Sequence, residues 1–496
     1  MNWLVSAAIV APLLAAAGAL AWRDHPRLRD GVTIVGLATA TAAAFGLLIE
    51  VVSDGPTTIN VGGWNGELGI TLVADRFAVL VLPIALAIIF VVEIFAIGQR
   101  RTAWGANPEL SGPLLGVLTA GVSLAILTGD LFTLFVAFEL ILVSSYVLLT
   151  HQGQREQVRS GMTYVVMNLF ASTLFLIGLA VVYSATGTVN LELLAERIPE
   201  LSGGARVGIG AWFFVVFGTK AAVFPLFSWL PDSYPTAPTT ITAVFAGLLT
   251  KIGIYSMIRF HTITSMDELG SVMLIIAGVT MVIGAFGALA QQDVKRILSF
   301  HVISQIGYML MGLGLFSAAG TTGAILFLIH HMPVKTVLFL TGGLIENHEG
   351  SGRLDRSGGL ASRRPIIALL FAVPALSLAG LPPFSGFIAK FGVIRAGIEA
   401  NAVPIVVVAL VAGALTLLSM TKIWMGVFWG EPHDDDDAER LLTSTSRANR
   451  TLMVGATALA VAGTLTISLF AGPLFDLATD AANDLRAGTI LDGAER

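Results

Sequence analysis

The sequence predicts an all-α polytopic membrane protein of about fourteen transmembrane helices. Three observations predict it. Mean hydropathy is +0.82 and only 12% of the residues are charged. Apolar runs of about 20 residues, the length that crosses a bilayer, recur from end to end. Basic residues gather in alternate loops, as the positive-inside bias of membrane proteins requires.

In order, the spans fall at about 3–22, 31–52, 74–98, 113–128, 131–150, 160–184, 207–228, 239–260, 270–290, 294–316, 321–345, 364–397 (interrupted), 403–429 and 450–474. Trp3–Trp22 is apolar over its full length with no basic residues ahead of it, so it reads as the first span and not as a cleaved leader. One set of alternate loops holds Arg23, Arg27, Arg29, Arg100, Arg101, Arg155, Arg159, Lys295, Arg296, Arg353, Arg356, Arg363, Arg364, Arg440, Arg447 and Arg450, sixteen of the 28 basic residues. The opposite set, with both termini, holds Arg76, Arg197, Arg206, Arg486 and Arg496. This asymmetry fits fourteen crossings with both termini on the outer face. Outside the spans, Asp54–Asp75 alternates short runs around Gly and Asn and predicts an external β-hairpin. Asn190–Arg206 predicts a short amphipathic helix. Asp434–Asp437 reads from its composition as a solvated acidic loop.

Composition excludes several functions. Net charge is −5 with no basic tract, which argues against nucleic acid. There is no cysteine, so thiolate metal sites, disulfides and cysteine catalysis are absent. The sequence has no phosphate-binding Gly-rich loop and no HExxH zinc motif. The histidines are too scattered to argue a pair of haem ligands. No cofactor is expected, and an ATP-driven or redox role for this chain alone is disfavoured.

What remains is a set of ionisable residues at membrane depth. The chain has 22 Arg and only six Lys, and five of the lysines lie inside apolar segments: Lys220, Lys251, Lys335, Lys390 and Lys422. A desolvated lysine can give up its proton, whereas arginine cannot. Each such charge costs roughly 3 kcal/mol on insertion scales, so each marks a site. Trp212–Phe260 carries two of them, with the first segment interrupted by Pro225 and a connector rich in proline (Pro231, Pro235, Pro238). Glu139 sits in the middle of span 5, and its natural partner is Lys220. A carboxylate and ammonium pair of this kind can hold or release a proton as it closes and opens. Lys251 and Lys390 are the next proton carriers, Lys390 following the break at Pro382 and Pro383. His331 and Lys335 are four residues apart and share one face of span 11, with Pro333 between them removing a helical hydrogen bond. Imidazole titrates near neutrality and can relay protons, which adds His330 and His301 as secondary candidates. Lys422 enters through a repeat: Thr250-Lys251-Ile252 is echoed by Thr421-Lys422-Ile423. Glu93 on span 3 either pairs with a neighbouring subunit or is solvated near a membrane surface. No metal ligand set is assigned.

The repeat has a topological meaning. Lys220 and Lys251 are spaced like Lys390 and Lys422, and each first member lies near prolines. One unit starts on an odd span and the other on an even one, so the two have opposite topology. Inverted repeats with broken helices are the common architecture of ion-coupled transporters.

Asp293–Met309 (DVKRILSFHVISQIGYM) and the LPDxxxxAP connector of Leu230–Pro238 resemble the antiporter-like membrane subunits shared by respiratory complex I, membrane-bound hydrogenases and Mrp-type multisubunit Na+/H+ antiporters. The resemblance covers the whole chain. It implies inverted repeats of spans 4–8 and 9–13 with broken helices 7 and 12, and it places the family's buried charges on Glu139, Lys220, Lys251 and Lys390. The family's HxxxK on span 11 matches His331 and Lys335. GDLFTLFVAFELILVSSY and LIHHMPVKTVLFLTGG look most like the D-type branch of the Mrp antiporter subunits. His301 and Pro333 depart from the usual pattern. The resemblance implies a proton-translocating subunit of a hetero-oligomeric Na+/H+ antiporter in a bacterial inner membrane, not an enzyme, with the other subunits, lipid, H+ and Na+ as its partners. The alternative is the proton-pumping membrane subunit of a redox enzyme, NADH:quinone oxidoreductase or membrane-bound hydrogenase. The domains expected are an N-terminal segment (1–112), a first repeat (113–262), a second repeat (263–430), and an acidic loop with the last helix (431–496).

Overall fold

The computed structural model describes residues 3–64, 69–99, 108–150, 152–264, 266–431 and 447–487. Arg100, Arg101, Arg440, Arg496 and the acidic run Asp434–Asp437 lie outside the described residues. Among those described, twelve helices are long and apolar enough to cross a membrane. The expected spans 7 and 12 are the two that come in pieces.

α1 (Trp3–Ala21) and α2 (Pro26–Asp54) pack side by side. Pro26 opens α2, where a helix has no use for the missing N–H. The hairpin follows as expected: β1 (Thr57–Asn60) pairs antiparallel with β2 (Thr71–Ala74), with Thr57 opposite Ala74. α3 (Arg76–Gln99), α4 (Pro108–Leu127), α5 (Leu131–Thr150) and α6 (Arg155–Thr186) come next. The short helix after them is α7 (Leu191–Arg197), started by Asn190, whose side chain accepts from the Glu192 and Leu193 amides.

The centre of the chain is α8 (Gly203–Ala221), α9 (Trp229–Ser233) and α10 (Thr239–Val244). A π-helical segment, Phe245–Leu249, then leads into α11 (Thr250–Thr264). After α12 (Gly270–Ala290), α13 (Val294–Gly314) and α14 (Ala318–Glu349) come α15 (Leu360–Arg363), α16 (Pro365–Ala379) and α17 (Ser385–Glu399). α18 (Val403–Ile423) continues into a second π-helical segment, Trp424–Phe428. The chain ends with α19 (Arg447–Leu469) and α20 (Ala471–Ala487).

The two breaks share a local grammar. α8 ends on Ala222 at φ +61, and α16 ends on Gly380 at φ +87. Each left-handed residue is followed three positions later by a proline, Pro225 or Pro383, which cannot continue a helix. The lysines do not follow this correspondence: Lys220 precedes its break, whereas Lys390 comes after its own. Similar spacing of the lysines in the sequence therefore does not make them equivalent in the fold.

The interior is built around α14, which is buried along its whole length and packs against α3, α10, α13, α16, α17, α19 and α20. The helix running through α10 and α11 is likewise wholly buried, and α13 nearly so. α1, α2 and α19 leave most of their surface on the outside. α11, α13 and α14, which carry Lys251, His301, His331 and Lys335, thus have almost no lipid-facing side, which is the condition for ionisable residues at membrane depth, whereas α5 and α17 keep an exposed apolar face.

Two expectations need correction. The last span does not end the described chain, because the helix turns at Phe470 and continues as α20. α20 buries Ala478, Ala481, Ala482 and Leu485 and ties Asp484 to Arg76 at 2.6 Å. Lys295 is not a loop residue: it is buried in the first turn of α13, which Asp293 caps through the Arg296 amide. α14 runs unbroken through Pro333, which removes only the one hydrogen bond its missing N–H would have made.

Candidate functional site

Glu139 projects from α5 and Lys220 from the last turn of α8. The Lys220 ammonium donates to Ser172 Oγ of α6 at 3.1 Å and lies 4.9 Å from the centre of the Phe138 ring. Glu139 is its electrostatic neighbour but not in ion-pair contact, and Glu139 Oε1 is buried without a hydrogen bond. The ion pair expected from the sequence is therefore not made here: the two are neighbours in an open arrangement, with a hydroxyl and a ring face holding the ammonium in place of the carboxylate.

Lys251 lies two residues past the π-helical segment and donates to the Ala246 carbonyl within it. A π-helical turn re-aims backbone groups and recurs at functional positions. α8 and α11 meet at Gly253, where a Cβ would stand 2.9 Å from the Ala221 nitrogen, so only glycine permits this approach. The described contacts do not join Lys220 to Lys251. The rings of Phe213, Phe217 and Phe260 pack together where these two helices meet.

From Lys251 onward the ionisable groups lie in one another's electrostatic field. Lys335 of α14 is its electrostatic neighbour and donates to the Leu298 carbonyl of α13 at 3.1 Å. His331, on the same face of α14, lies in the field of Lys251, Lys335, His330 and His301. Both His331 ring nitrogens are buried and make no hydrogen bond to the protein. A buried imidazole in that state is chemically suited to water or a transient proton partner. His301 and His330 extend the row, each in the field of Lys335 and Lys390. His301 Nε2 bonds Ser419 Oγ of α18 at 2.6 Å, and His330 Nδ1 bonds Ser385 Oγ at the start of α17 at 2.8 Å. Lys390 reaches back across the break to donate to the Ala379 carbonyl at 2.9 Å and lies 5.3 Å from the Tyr308 ring centre.

Two secondary candidates stand elsewhere. Lys422 donates to the Leu289 and Gln291 carbonyls at 2.8 and 2.6 Å, so it caps the C-terminal end of α12. Glu93 fits neither expected setting. It is wholly buried within the chain, beside Gln99, Ser111 and Thr240 around a small cavity, and so faces neither solvent nor a neighbouring subunit.

Sequence reasoning missed two buried ion pairs. Arg259 near the end of α11 holds Asp75 through two bonds of 2.8 and 2.7 Å, and its Nε donates to the Tyr255 hydroxyl at 2.8 Å. Lys295 at the start of α13 meets Glu346 near the end of α14 at 2.7 Å. Both pairs carry a signal, a charge at the edge of an apolar run, but that signal is also the ordinary mark of a loop. The hydroxyl partners Ser172, Ser385 and Ser419 carry none, because serine is common in membrane helices.

The break between α16 and α17 depends on close contact. A Cβ on Gly386 would overlap the Ser377 carbonyl and stand 2.9 Å from His330 Cε1. Gly386→Ala is expected to lower the amount of assembled protein severalfold in immunoblots of membranes. Gly392→Ala, whose nearest contacts are an ordinary 3.7 Å, serves as the tolerated control. Equal levels of the two would show that the break does not need this approach.

The family model described as NADH:quinone oxidoreductase/Mrp antiporter, TM, matches residues 128–416. The chain is 41% identical over 446 residues to the D-type subunit of the Na(+)/H(+) antiporter of Alkalihalophilus pseudofirmus, covering 88% of this chain and 90% of that relative. Against the protein of the same name from Bacillus subtilis, identity is 35% over 447 residues, 87% of this chain and 88% of the other. A chain of the Mrp complex from a Dietzia species superposes with a TM-score of 0.90 at 34% identity over 99% of both chains. A chain of the membrane-bound sulfane sulfur reductase, an archaeal respiratory membrane complex, superposes with a TM-score of 0.87 at 25% identity over 98% of both.

Proposed function

This chain belongs to the membrane-subunit family shared by NADH:quinone oxidoreductases and Mrp antiporters, and from that premise we propose that it is the proton-translocating, D-type subunit of a multisubunit Na+/H+ antiporter. It is a component of a secondary transporter and not an enzyme, a multi-pass protein of a bacterial inner membrane that works with the other subunits of its complex. Protons move along Glu139, Lys220, Lys251, His331, Lys335 and Lys390, with His301 and His330 as side stations. The observation that carries this reading is the electrostatically linked set of Lys251, His331, Lys335 and His301, on α11, α13 and α14, helices that lipid barely touches, with Lys390 of α17 in the field of His301 and His330. Like charges so close resist being charged together, so a proton arriving at one end favours release from the next group. Such shifts along the row provide the coupling to Na+ moving the other way. The concentration of Arg in alternate loops supports both termini on the outer face, with fourteen crossings and opposed repeats at 113–262 and 263–430.

The likeness to an archaeal respiratory complex favours one second reading, a subunit driven by electron transfer in its partners. Everted vesicles containing the whole set of subunits separate the two. The antiporter reading expects Na+ to dissipate a preformed ΔpH. Vesicles that ignore Na+ but acidify on adding NADH or another electron donor would overturn it.

A further inference from the structure

α10, α13 and α14 end together, on the side that carries Arg296 and Arg353. There Lys295 Nζ meets Glu346 Oε2 at 2.7 Å, and Thr239 Oγ1 donates to the same oxygen at 3.2 Å. Both charged side chains are more than nine-tenths buried. Asp293, the cap of α13, is the other charged group in the field of Glu346, and α10 contributes only the Thr239 hydroxyl. The helices meeting here are those of the row: α10 leads through the π-helical segment to Lys251, α13 bears His301, and α14 bears His331 and Lys335. A buried pair of this kind is a poor way to gain stability, because desolvation offsets most of the attraction. Its position suggests a different use.

Lys335, Phe339, Gly342 and Glu346 lie on one face of α14, at steps of four, three and four residues. Lys335 and Glu346 are separated by about three turns, roughly 16 Å at the helical rise. The Lys335 ammonium already bonds the Leu298 carbonyl, one turn of α13 beyond Lys295. Between them Phe339 is fully buried and Gly342 carries no side chain, so a lane along this face exists only when the helices part beside Phe339. A Cβ on Gly342 would find Val294 Cγ1 at an ordinary 3.6 Å and nothing closer.

We propose that the Lys295–Glu346 ion pair is the gate through which the row exchanges protons with the side bearing Arg296 and Arg353. This rests on the proton-row reading above. Closed, the pair blocks the lane. A proton from water on that side adds to the Glu346 carboxylate, and the neutral acid releases Lys295, which swings away. Water in the lane then passes the proton from the Glu346 carboxyl to a neutral Lys335 amine, making an ammonium. The carboxylate left behind recaptures Lys295 and the gate shuts. No proton or charge is lost in the cycle, and Thr239 keeps Glu346 aimed throughout.

The test uses the full complex in everted vesicles, with Na+-dependent ΔpH dissipation as the readout and immunoblots to confirm assembly. Glu346→Gln keeps the Thr239 contact and removes the proton carrier. It is expected to slow exchange by about 100-fold, the low end of what losing a positioned acid or base costs. Glu346→Asp, which can still carry a proton, is expected to recover most of the rate. Gly342→Leu leaves the ion pair in place and fills the lane, and is expected to slow exchange by a similar factor. A wild-type rate in either Glu346→Gln or Gly342→Leu overturns the gate, and the pair is then a static strut. If Glu346→Gln does not assemble, Gly342→Leu decides alone. Lys220→Ala is run in parallel: if it too exchanges at the wild-type rate, it is the proton row itself that has failed.

Discussion

Glu139→Ala and Lys220→Ala are expected to assemble normally and to reduce Na+-dependent ΔpH dissipation by about 100-fold or more, the size of effect seen when a positioned proton carrier is lost. The reason lies in the open form of their pairing. Lys220 is held by Ser172 and the Phe138 ring, so neither helix needs a closed ion pair to stay in place. A static pair would behave differently, because removing one partner would leave a buried charge unmatched and destabilise the protein. Lys220→Arg sharpens the test. It preserves the positive charge, but a guanidinium does not release its proton in a protein. Exchange should therefore stay at background in Lys220→Arg. A rescued rate would mean that Lys220 supplies field alone, and the proton path would have to run elsewhere. Ser172→Ala, which removes only a neutral hydroxyl, should cost far less.

The second large effect is on stability. Asp75→Ala is expected to lower the stability of the assembled protein by about 3–5 kcal/mol, because it strands the Arg259 guanidinium where water does not reach. Arg259 is only 6% exposed, and the partner left to it is the Tyr255 hydroxyl, which itself donates to the Ile126 carbonyl at 2.6 Å. The double change Asp75→Leu with Arg259→Met should recover most of the loss, since apolar side chains of similar size often replace a buried pair at little cost. Thermal unfolding of the purified complex reads both. A single variant as stable as the wild type would mean that water enters beside Arg259. The location gives the prediction its weight: Asp75 joins the hairpin to α3, and Arg259 pins the helix that carries Lys251.

Much of this was legible in the sequence because a membrane leaves few ways to place a charge. Lys220, Lys251, Lys335 and Lys390 could be singled out from apolar runs alone, since only a shielded, functional setting tolerates them. The breaks announced themselves through Pro225, Pro382 and Pro383. The partners of those charges were not legible. Ser172, Ser385 and Ser419 look like any membrane serine, and the carbonyls that hold Lys335, Lys390 and Lys422 belong to every residue alike. Lys422 shows the limit of pattern: its echo of Lys251 is real in the letters, yet it ends as a helix cap. Lys295 and Glu346 were hidden for a different reason. Charges at the edge of a span are normally solvated, and only packing of three helix ends reveals that these two are not. α20 could have been found, because Asp476, Asp480 and Asp484 recur every fourth residue and mark the polar side of an amphipathic helix.

The complete enclosure of α14 bears on how such a chain is made. A helix carrying His330, His331, Lys335 and Glu346, with no side turned to lipid, is a poor solitary guest in a bilayer. It becomes comfortable only once α10, α13 and α17 close around it, and α17 is synthesised later. During biogenesis α14 must therefore wait at the insertion machinery, or in contact with an earlier helix, until its remaining walls emerge. The polar row thus sets an order of events at synthesis, in which the segments before α13 insert one by one and those from α13 to α17 enter the membrane as a group.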